Sequence, residues 1–574
     1  MNAKTRVFAA LGNHPVDTLF TNAKLVNVFT GEIDSTDVAV HGGVVVGYGH
    51  YDAKETIDLK GAYLAPGFID GHVHIESSML TPGEFARVVV PKGTTTVIAD
   101  PHEIANVIGL DGIRYMLNAS ENIPLNVRIM VPSCVPATSF ENAGASIDAN
   151  DIASIKDHPR VLGLGEVMDY PAVMQGDDAM FDKLAVMHGK PIDGHAPDIL
   201  GKELSAYAAA GVQTDHECTK TESLIERIRR GMYVHLREGS ATRNTRELLK
   251  AVTEENYHRL LFCTDDKHPE DIVAEGHINH NVNLAIKAGV KPMHAIRMGT
   301  LNAAACYGLH DVGALGIGYR ADMIVFDNLT IITPRDVYKD GKRVVKDGVA
   351  TFTITPYKEN AVTQSVNVHR DTLDFRLPLK GDKARVIGII QNNITTRHEI
   401  RQVPVKDGEY VHNRQSGLNK LAVIERHRHT GNVGVGLVSG YDIENGALAM
   451  TIAHDSHNLI VIGDNDHAMR LAAERIIDMQ GGIVLVQGED VVDALPLDIA
   501  GIMSSKSAEH VAETLTRIGK KARSMGLNEA IDDPFITLAF LSLPVIPELK
   551  LTDRGLFDVA SFKHVAIEPE SEDS

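Results

Sequence analysis

Short apolar runs alternate with longer amphipathic stretches over the first half of the chain, a rhythm typical of strands followed by helices. The apolar runs interpreted as strands lie at 65–69, 95–99, 127–131, 161–164, 191–193, 212–214, 232–236 and 260–263. The predicted helices fall between or after them, at 104–121, 202–210, 223–230, 246–257 and 271–288. Eight such units within about 240 residues predict an α/β fold, a (β/α)8 TIM barrel.

Strand-like patterns also flank this region on both sides. They are rich in Val, Thr and Leu with partial alternation, and they lie at 19–28, 37–46, 320–326 and 337–349. Gly42-Gly43 and Asp340-Gly341 mark hairpin turns within them. We therefore predict a discontinuous small β-sandwich domain from residues 1–64 and 312–360, which encloses the barrel domain of residues 65–311.

The chain beyond residue 360 is long enough for a further domain. It contains strand patterns at 384–390, 421–425 and 459–462 and a helical pattern at 467–478. A stretch of roughly 200 residues lies within the usual size range of a domain. We predict a separate C-terminal α+β domain over residues 361–574.

Composition and charge narrow the possible functions. Apolar residues make up 44% and charged residues 23% of the 574, which is ordinary globular usage and excludes disorder or a collagen-like fibre. The net charge of −20 repels phosphate backbones, so nucleic acid is not an expected partner. The chain has neither an apolar leader nor a run long enough to span a bilayer, so we expect a cytoplasmic protein without a membrane partner.

A metal site is the strongest chemical signal in the sequence. His72 and His74 follow the first predicted strand, and their i, i+2 spacing places both on one side of an extended chain. Four further candidate ligands close later predicted strands: Glu166, His195, His216 and Asp265. Because functional groups of (β/α)8 enzymes cluster at the carboxyl ends of the strands, we predict that these six side chains meet.

Six ligands exceed the needs of one catalytic ion that keeps an open position. Two ions bridged by Glu166 fit better, and two adjacent cations lower the pKa of a bridging water. Oxygen and imidazole donors without thiolate allow Zn, Mn or Fe.

Three smaller clusters are secondary candidates. We predict that Asp100, His102 and Glu103 contact the substrate or an auxiliary metal; the alternative is a capping box at a helix N-terminus. We predict that Arg237, Glu238 and Ser240 contact the substrate, with a salt-bridged loop as the alternative. His454 and His457 could approach the barrel mouth, bind a further ion, or belong to a hydrogen-bonded turn.

At this point the motifs identify a family resemblance. The stretches GFIDGHVHIESSMLTP, VIADPHEIANVIG, GEVMDYPAVM, REGSA and CTDDKHP resemble the bacterial adenine deaminases of the amidohydrolase superfamily. Two downstream stretches do so as well, AHDSHNLIVIG and AFLSLPVIPELKLTDRGLFD. The resemblance covers almost the whole chain, although the HxH signature alone is specific only to the superfamily.

The resemblance implies hydrolysis of adenine to hypoxanthine and ammonia in purine salvage, with two divalent ions per subunit. Manganese or iron is favoured and zinc is possible. By superfamily analogy, His72, His74 and Asp265 hold one ion, His195 and His216 hold the other, and Glu166 bridges them.

In the implied mechanism a metal-activated hydroxide attacks C6 of the purine. Asp265 accepts its proton and passes it to the leaving amine. We further hypothesise that Glu238 protonates ring nitrogen N1, with Asp266 as the fallback.

Other functions remain open at this stage. An amidohydrolase acting on another cyclic amide or amidine, such as a hydantoin or a different aminopurine, would use the same metals. A non-catalytic binding protein on this fold would not need all six ligands. Zinc deaminases of the cytidine type are excluded because they need a CxxC, which this chain lacks. A homo-oligomer, dimer or larger, is expected from the general behaviour of soluble enzymes.

Overall fold

The computed structural model describes residues 2–197, 199–359, 362–391 and 393–569. The boundary between residues 360 and 361 that we predict for the C-terminal domain lies outside these ranges. Of the described helices, none is both long enough and apolar enough to cross a membrane.

The repeating strand pattern forms a curled parallel sheet in two parts. The first part contains five strands, Phe68–Val73, Thr94–Ala99, Asn126–Val131, Val161–Val167 and Ile192–Gly194. The second part contains Thr214–Asp215, Tyr233–Arg237 and Leu260–Cys263. Almost every residue in these strands is buried, as expected for a parallel sheet covered on its faces.

Backbone hydrogen bonds link the two parts at both of their junctions. The Gln213 amide donates to the Ile192 carbonyl at 3.0 Å, and the Asp265 amide donates to the His72 carbonyl at 3.0 Å. Val73 and Asp265 also form a parallel β-bridge. The carboxyl ends of the first and the last strand are therefore adjacent.

The helices of this region follow the strands along the chain. They are Pro82–Val89, His102–Ile108, Leu110–Ala119, Ala149–Ile155, Tyr170–Gln175, Asp178–Val186, Gly201–Ala209, Thr221–Arg229, Thr245–Leu248, Pro269–Ala274, Ile278–Lys287, Pro292–Met298 and Leu301–Cys306. Three predicted helices are wrong in extent. Those at 104–121 and 271–288 are each interrupted by a glycine with positive φ, Gly109 and Gly276. The helix predicted at 246–257 ends as an α-helix at Leu248.

A mixed sheet combines strands from both sides of the barrel region. Its strands are Val16–Asn27, Glu32–His41, Val44–Tyr48, Ala53–Asp58, Tyr63–Pro66, Met323–Phe326, Asp336–Lys339, Lys342–Lys346 and Val349–Ala350. The junction is the antiparallel pairing of Tyr63–Pro66 with Met323–Phe326. The helix Ala3–Ala10 precedes this sheet.

The C-terminal part of the chain is an α+β unit built on a second mixed sheet. In spatial order its strands are Thr396–Gln402, Lys383–Ile389, Val433–Ser439, Leu418–Ile424, Leu459–Gly463, Gly446–Met450, Gly482–Gln487 and Asp490–Pro496. Smaller sheets join Val405–Lys406 with Glu409–Tyr410, and Leu549–Thr552 with Gly555–Asp558 and Lys563–His564. The helices are Asp466–Asp478, Ala508–Ser524 and Pro534–Ala539.

This C-terminal unit packs directly on the parallel sheet region. One hydrophobic cluster is continuous between them and includes Ile104 and Ala105 on one side and Ile452 and Ala453 on the other. The Ser504 amide donates to the Met79 carbonyl at 2.8 Å. The contact brings the C-terminal unit over the carboxyl ends of the parallel strands.

Candidate metal centre and active site

The six predicted ligands meet at the carboxyl ends of the parallel strands. Each lies within or just after its strand, because a parallel sheet presents all its strand ends at one edge. His72 Nε2 and His74 Nε2 are 3.1 Å apart, which is the geometry expected from their i, i+2 spacing. Asp265 Oδ1 lies 3.5 Å from His72 Nε2 and 3.0 Å from His74 Nε2.

Glu166 divides its two carboxylate oxygens between two groups of histidines. Its Oε1 lies 3.3 Å from His74 Nε2 and 3.8 Å from His72 Nε2. Its Oε2 lies 2.7 Å from His195 Nδ1 and 3.2 Å from His216 Nε2. One carboxylate thus faces two sets of nitrogen donors, as a bridging ligand must.

A hydrogen bond to the backbone fixes the orientation of the His74 ring. Its Nδ1 lies 2.8 Å from the carbonyl oxygen of Asp100, which only accepts, so Nδ1 carries the proton. In the neutral ring the Nε2 lone pair then faces the oxygens of Glu166 and Asp265. Acceptors that face one another in a buried site are satisfied by a cation, so this donor set fits a divalent metal.

Arg237 and Glu217 lie beside the cluster, and Arg237 contacts Asp265. Arg237 Nη1 donates to Asp265 Oδ2 at 2.7 Å, and Arg237 Nη2 donates to Glu217 Oε2 at 3.0 Å. Burial opposes ionisation of Asp265, but the charge of Arg237 holds its pKa well below the ordinary value. Arg237 therefore fixes Asp265 as an ionised, oriented carboxylate.

Glu217 is a site residue that the sequence analysis missed. Its Oε1 lies 3.6 Å from His195 Nδ1 and 3.5 Å from His216 Nε2. The available signal was its position directly after His216 in the sequence TDHEC.

Asp100 supports the site through the backbone. Its Oδ2 accepts the amide proton of Glu166 at 2.9 Å. A β-carbon at residue 165 would lie 2.2 Å from this oxygen, so Gly165 permits the close approach. The capping-box alternative is wrong, because the helix that begins at His102 has Pro101 as its N-cap and no side-chain cap.

His102 and Glu103 extend from the centre towards the C-terminal unit. His102 Nδ1 lies 3.3 Å from Glu166 Oε1, and burial and His74 oppose its protonation while Glu166, Asp455 and Asp100 raise its pKa to about 10. Glu103 Oε1 accepts from Ser77 Oγ at 2.5 Å, and the same hydroxyl lies 2.5 Å from Asp266 Oδ1. A hydroxyl has one proton, so keeping both contacts requires a proton on one of the two carboxyl groups.

His454 and His457 approach the barrel side, as one of the sequence alternatives proposed. Their nitrogens lie 3.7 and 3.9 Å from the Glu103 carboxylate, near enough for a shared ion on distance alone. His457 Nδ1, however, accepts the amide proton of Ala453 at 3.3 Å, so the neutral ring carries its proton on Nε2. A protonated nitrogen cannot ligate a metal, which favours the hydrogen-bonded loop.

Glu238 and Ser240 do not join the metal cluster. Glu238 directly follows Arg237, so alternation along the extended chain turns its side chain to the opposite side, near Thr245. In the described part of the chain, Glu238 is not in the walls of the two cavities at this site. Ser240 donates to Asp271 Oδ2 at 2.6 Å and lines only the outer cavity.

Two adjoining cavities open above the cluster, between the strand ends and the C-terminal unit. The inner one, of about 40 Å³, touches the predicted ligands His74, Glu166, His195, His216 and Asp265. The C-terminal unit closes it with side chains that include His454, Asp455 and Phe540. The outer cavity has a volume of about 570 Å³. Residues that line both cavities include His195, Glu217, Arg237 and Ile394.

Comparison with known proteins gives consistent matches along the chain. Residues 63–358 match the amidohydrolase family, and residues 393–563 match the adenine deaminase C-terminal domain. The chain is 51% identical to adenine deaminase 2 of Carboxydothermus hydrogenoformans, over 98% of this chain and 99% of that protein. It is 48% identical to adenine deaminase of Nitratidesulfovibrio vulgaris strain DP4, over 97% of both chains.

A third relative, adenine deaminase of Geobacillus kaustophilus, is 46% identical over 98% of both chains. Among solved structures, an adenosine deaminase from Xanthomonas campestris with bound zinc covers 59% of this chain, with 15% identity and a TM-score of 0.45.

Proposed function

The chain belongs to the adenine deaminase family of amidohydrolases, and we infer that it hydrolyses adenine to hypoxanthine and ammonia. The observation that carries this inference is the sequence identity of 44–51% to adenine deaminases along nearly the whole chain, including the C-terminal domain. The family resemblance expected from the motifs is confirmed.

We propose that the eight parallel strands close into a (β/α)8 barrel over residues 65–311. The hydrogen bonds at both junctions of the sheet support this closure. Residues 1–64 and 312–360 would form the small β domain, which the pairing of strands from both segments supports. Residues 361–574 would form the C-terminal domain.

We propose that His72, His74 and Asp265 hold one divalent ion, that His195 and His216 hold a second, and that Glu166 bridges them. The division of the Glu166 oxygens between the two groups supports this assignment. Manganese or iron is favoured and zinc is possible, since all donors are imidazole or carboxylate. When bound, such ions lower the pKa of coordinated water and supply a nucleophile near neutral pH.

Asp265 is the residue that we assign to proton transfer during attack at C6. It accepts the proton of the attacking water and delivers it to the departing amine. Its ionised state suits the first of these steps, and Arg237 holds the carboxylate in place. Arg237 is thus a positioning residue in this mechanism. Because it also lines both cavities, its predicted contact with the substrate stays a prediction.

The ring nitrogen N1 must gain a proton as C6 becomes tetrahedral. We assign this step to Asp266, because it lines the inner cavity and Glu238 does not. Ser77 connects Asp266 to Glu103, so the pair of carboxyl groups can hold and replace the proton that is given up. His102, which also lines the cavity, is a further candidate for a direct substrate contact.

A product assay tests the proposed function. Protein stripped by chelator and reloaded with manganese, iron(II) or zinc would be supplied with adenine, and ammonia and hypoxanthine would be measured. Adenosine and cytosine serve as control substrates. Metal-dependent release from adenine alone is expected. If fully metallated protein leaves adenine unchanged but hydrolyses another cyclic amidine, the protein is an amidohydrolase and adenine is not its substrate.

The proposed activity also predicts a cellular setting. A role in purine salvage, a cytoplasmic location and a homo-oligomeric state remain predictions.

A further inference from the structure

Asp455 is a buried carboxylate that the proposed reaction does not use. Its side chain is 4% exposed, and its Oδ2 has no hydrogen-bond partner among the described residues. Its Oδ1 lies 3.9 Å from His102 Nε2 and 3.8 Å from His454 Nδ1, beyond hydrogen-bond length. A buried acceptor without a donor is unfavourable, which points to a donor that arrives with a ligand.

The position of Asp455 defines where that donor would be. Asp455 lines the inner cavity together with the metal cluster but is not in the wall of the outer cavity. The imidazole ring of His102 separates it from Glu166, with Nδ1 towards Glu166 and Nε2 towards Asp455. A ligand that reaches both must span a small aromatic ring, and its far end points into protein, not into the outer cavity.

The hydrogen-bonding groups of adenine indicate which of them can donate to Asp455. An ionised carboxylate only accepts hydrogen bonds. Adenine has two donor groups, the exocyclic amine on C6 and the single N–H of its imidazole ring. The amine must lie at the metal cluster because it is the group that leaves. The imidazole N–H, on N9 or N7, is therefore the donor available to Asp455.

We propose that Asp455 accepts the imidazole N–H of the purine and thereby selects the free base over N9-substituted derivatives. This inference rests on the proposed adenine deaminase activity. Nucleosides lack the N–H, and a sugar on N9 would be directed against the buried wall at Asp455. The C-terminal domain then sets substrate specificity, although it supplies none of the proposed metal ligands.

Kinetics with adenine and 9-methyladenine test this proposal in the full-length metalloenzyme. Asp455→Ala is expected to raise KM for adenine about 10- to 100-fold, the range for a hydrogen bond to a charged group, with a smaller change in kcat. The kcat/KM preference for adenine over 9-methyladenine should fall by a similar factor. Asp455→Asn should lie between, because its amide oxygen still accepts a hydrogen bond.

Glu141→Gln is the matched control. Glu141 is also buried, its Oε1 likewise has no hydrogen-bond partner among the described residues, and it lines neither cavity in the described part of the chain. This variant should leave the preference between the two substrates unchanged. Metal content and melting temperature are measured for every variant, and if Asp455→Ala does not fold, the isosteric Asp455→Asn decides with a preference reduced several-fold.

Two results would overturn the proposal. One is an unchanged preference in both Asp455 variants while wild-type protein deaminates adenine. The other is an equal loss for adenine and 9-methyladenine, which indicates a structural role. If wild-type protein carries its metals but does not act on adenine, the proposed function itself is wrong.

Discussion

Glu166 shows how one side chain can organise the whole centre. Burial opposes its ionisation, but the charges of His216 and His195 and hydrogen bonds from neighbouring histidines hold its pKa well below the ordinary value. An ionised carboxylate that is shared by two groups of nitrogen donors is suited to bridge two cations. Neutralising it should therefore disturb both ions at once.

Glu166→Gln tests this role directly. Losing a residue that only supports a ligand typically costs about 10- to 100-fold in metal affinity or activity, so losing the bridge is expected to cost more than about 100-fold in turnover. Metal content, measured by elemental analysis, should fall below that of wild-type protein. Glu203→Gln, on an exposed helix position, is the control. Full metal content with full turnover in Glu166→Gln would refute the bridging assignment.

The two candidate proton donors can be separated by paired variants. Asp266 lines the inner cavity, whereas Glu238 is turned towards Thr245. We expect Asp266→Asn to lower kcat by about 100-fold, within the usual contribution of general acid catalysis. Glu238→Gln should change kcat far less, with metal content intact in both. A larger kcat loss in Glu238→Gln than in Asp266→Asn would restore the sequence-based hypothesis.

The clustering of the six proposed metal ligands could be predicted from the sequence because local geometry determines it. The i, i+2 spacing of His72 and His74 and the position of each other ligand at a strand end require only strand geometry and strand order. Asp455 could not be predicted, because it reaches the site through packing of a different part of the chain. The orientation of Glu238 depends on strand register, which a one-residue shift reverses.

At the scale of elements, the differences from the predicted helices have a common cause. Gly109 and Gly276 adopt positive φ, and each separates two short helices. The apolar periodicity of the sequence nevertheless continues across each glycine. The spacing of apolar residues indicates which face of a helix is buried, but it does not indicate where the helix axis changes direction at a glycine. The order of strands and helices was therefore predictable, and the helix boundaries were not.

A buried ion pair joins the loop after Leu260–Cys263 to the helix Pro534–Ala539. His268 Nδ1 lies 2.7 Å from Asp533 Oδ2, and Asp533 also caps this helix by accepting from the amides of Phe535 and Ile536. Burial opposes protonation of His268, but Asp533 raises its pKa from 6.5 to about 9. The pair thus fastens a C-terminal helix that lines the outer cavity and directly precedes Phe540 in the wall of the inner one.

His268→Gln should reveal this contact through its pH dependence. A raised folded-state pKa gives stability that is fully present below pH 6.5 and is lost as the pH rises through about 9. Removing His268 should cost about 2 kcal/mol at pH 6, less than a fully buried pair because Asp533 is 17% exposed. Melting curves from pH 6 to pH 9.5 should show the two proteins converging. A constant difference would contradict the role assigned to the pair.

At the scale of the whole molecule, the active site is divided between two parts of the chain. The parallel-sheet region supplies every proposed metal ligand, and the C-terminal domain supplies the opposite wall of the inner cavity. Phe540 belongs to that wall and stacks on His454 with ring centroids 4.4 Å apart. Substrate affinity and metal affinity should therefore respond to different variants.

Phe540→Ala is expected to raise KM for adenine about 10-fold, because it removes an aromatic surface from the cavity wall. Metal content should not change, since the phenyl ring of Phe540 has no atom that ligates a metal. Phe181→Ala, at a position that is 42% exposed, controls for loss of a phenyl ring elsewhere. Loss of metal in Phe540→Ala, with KM unchanged, would show that the two parts of the chain do not divide these roles.

A metal titration of the apoprotein, followed by the rate of ammonia release from adenine, tests the two-ion centre directly. Six ligands with a bridging Glu166 predict that activity rises with added manganese and saturates at two equivalents per chain. Saturation at one equivalent, or deamination by protein that contains no metal, would contradict the two-ion centre on which the account rests.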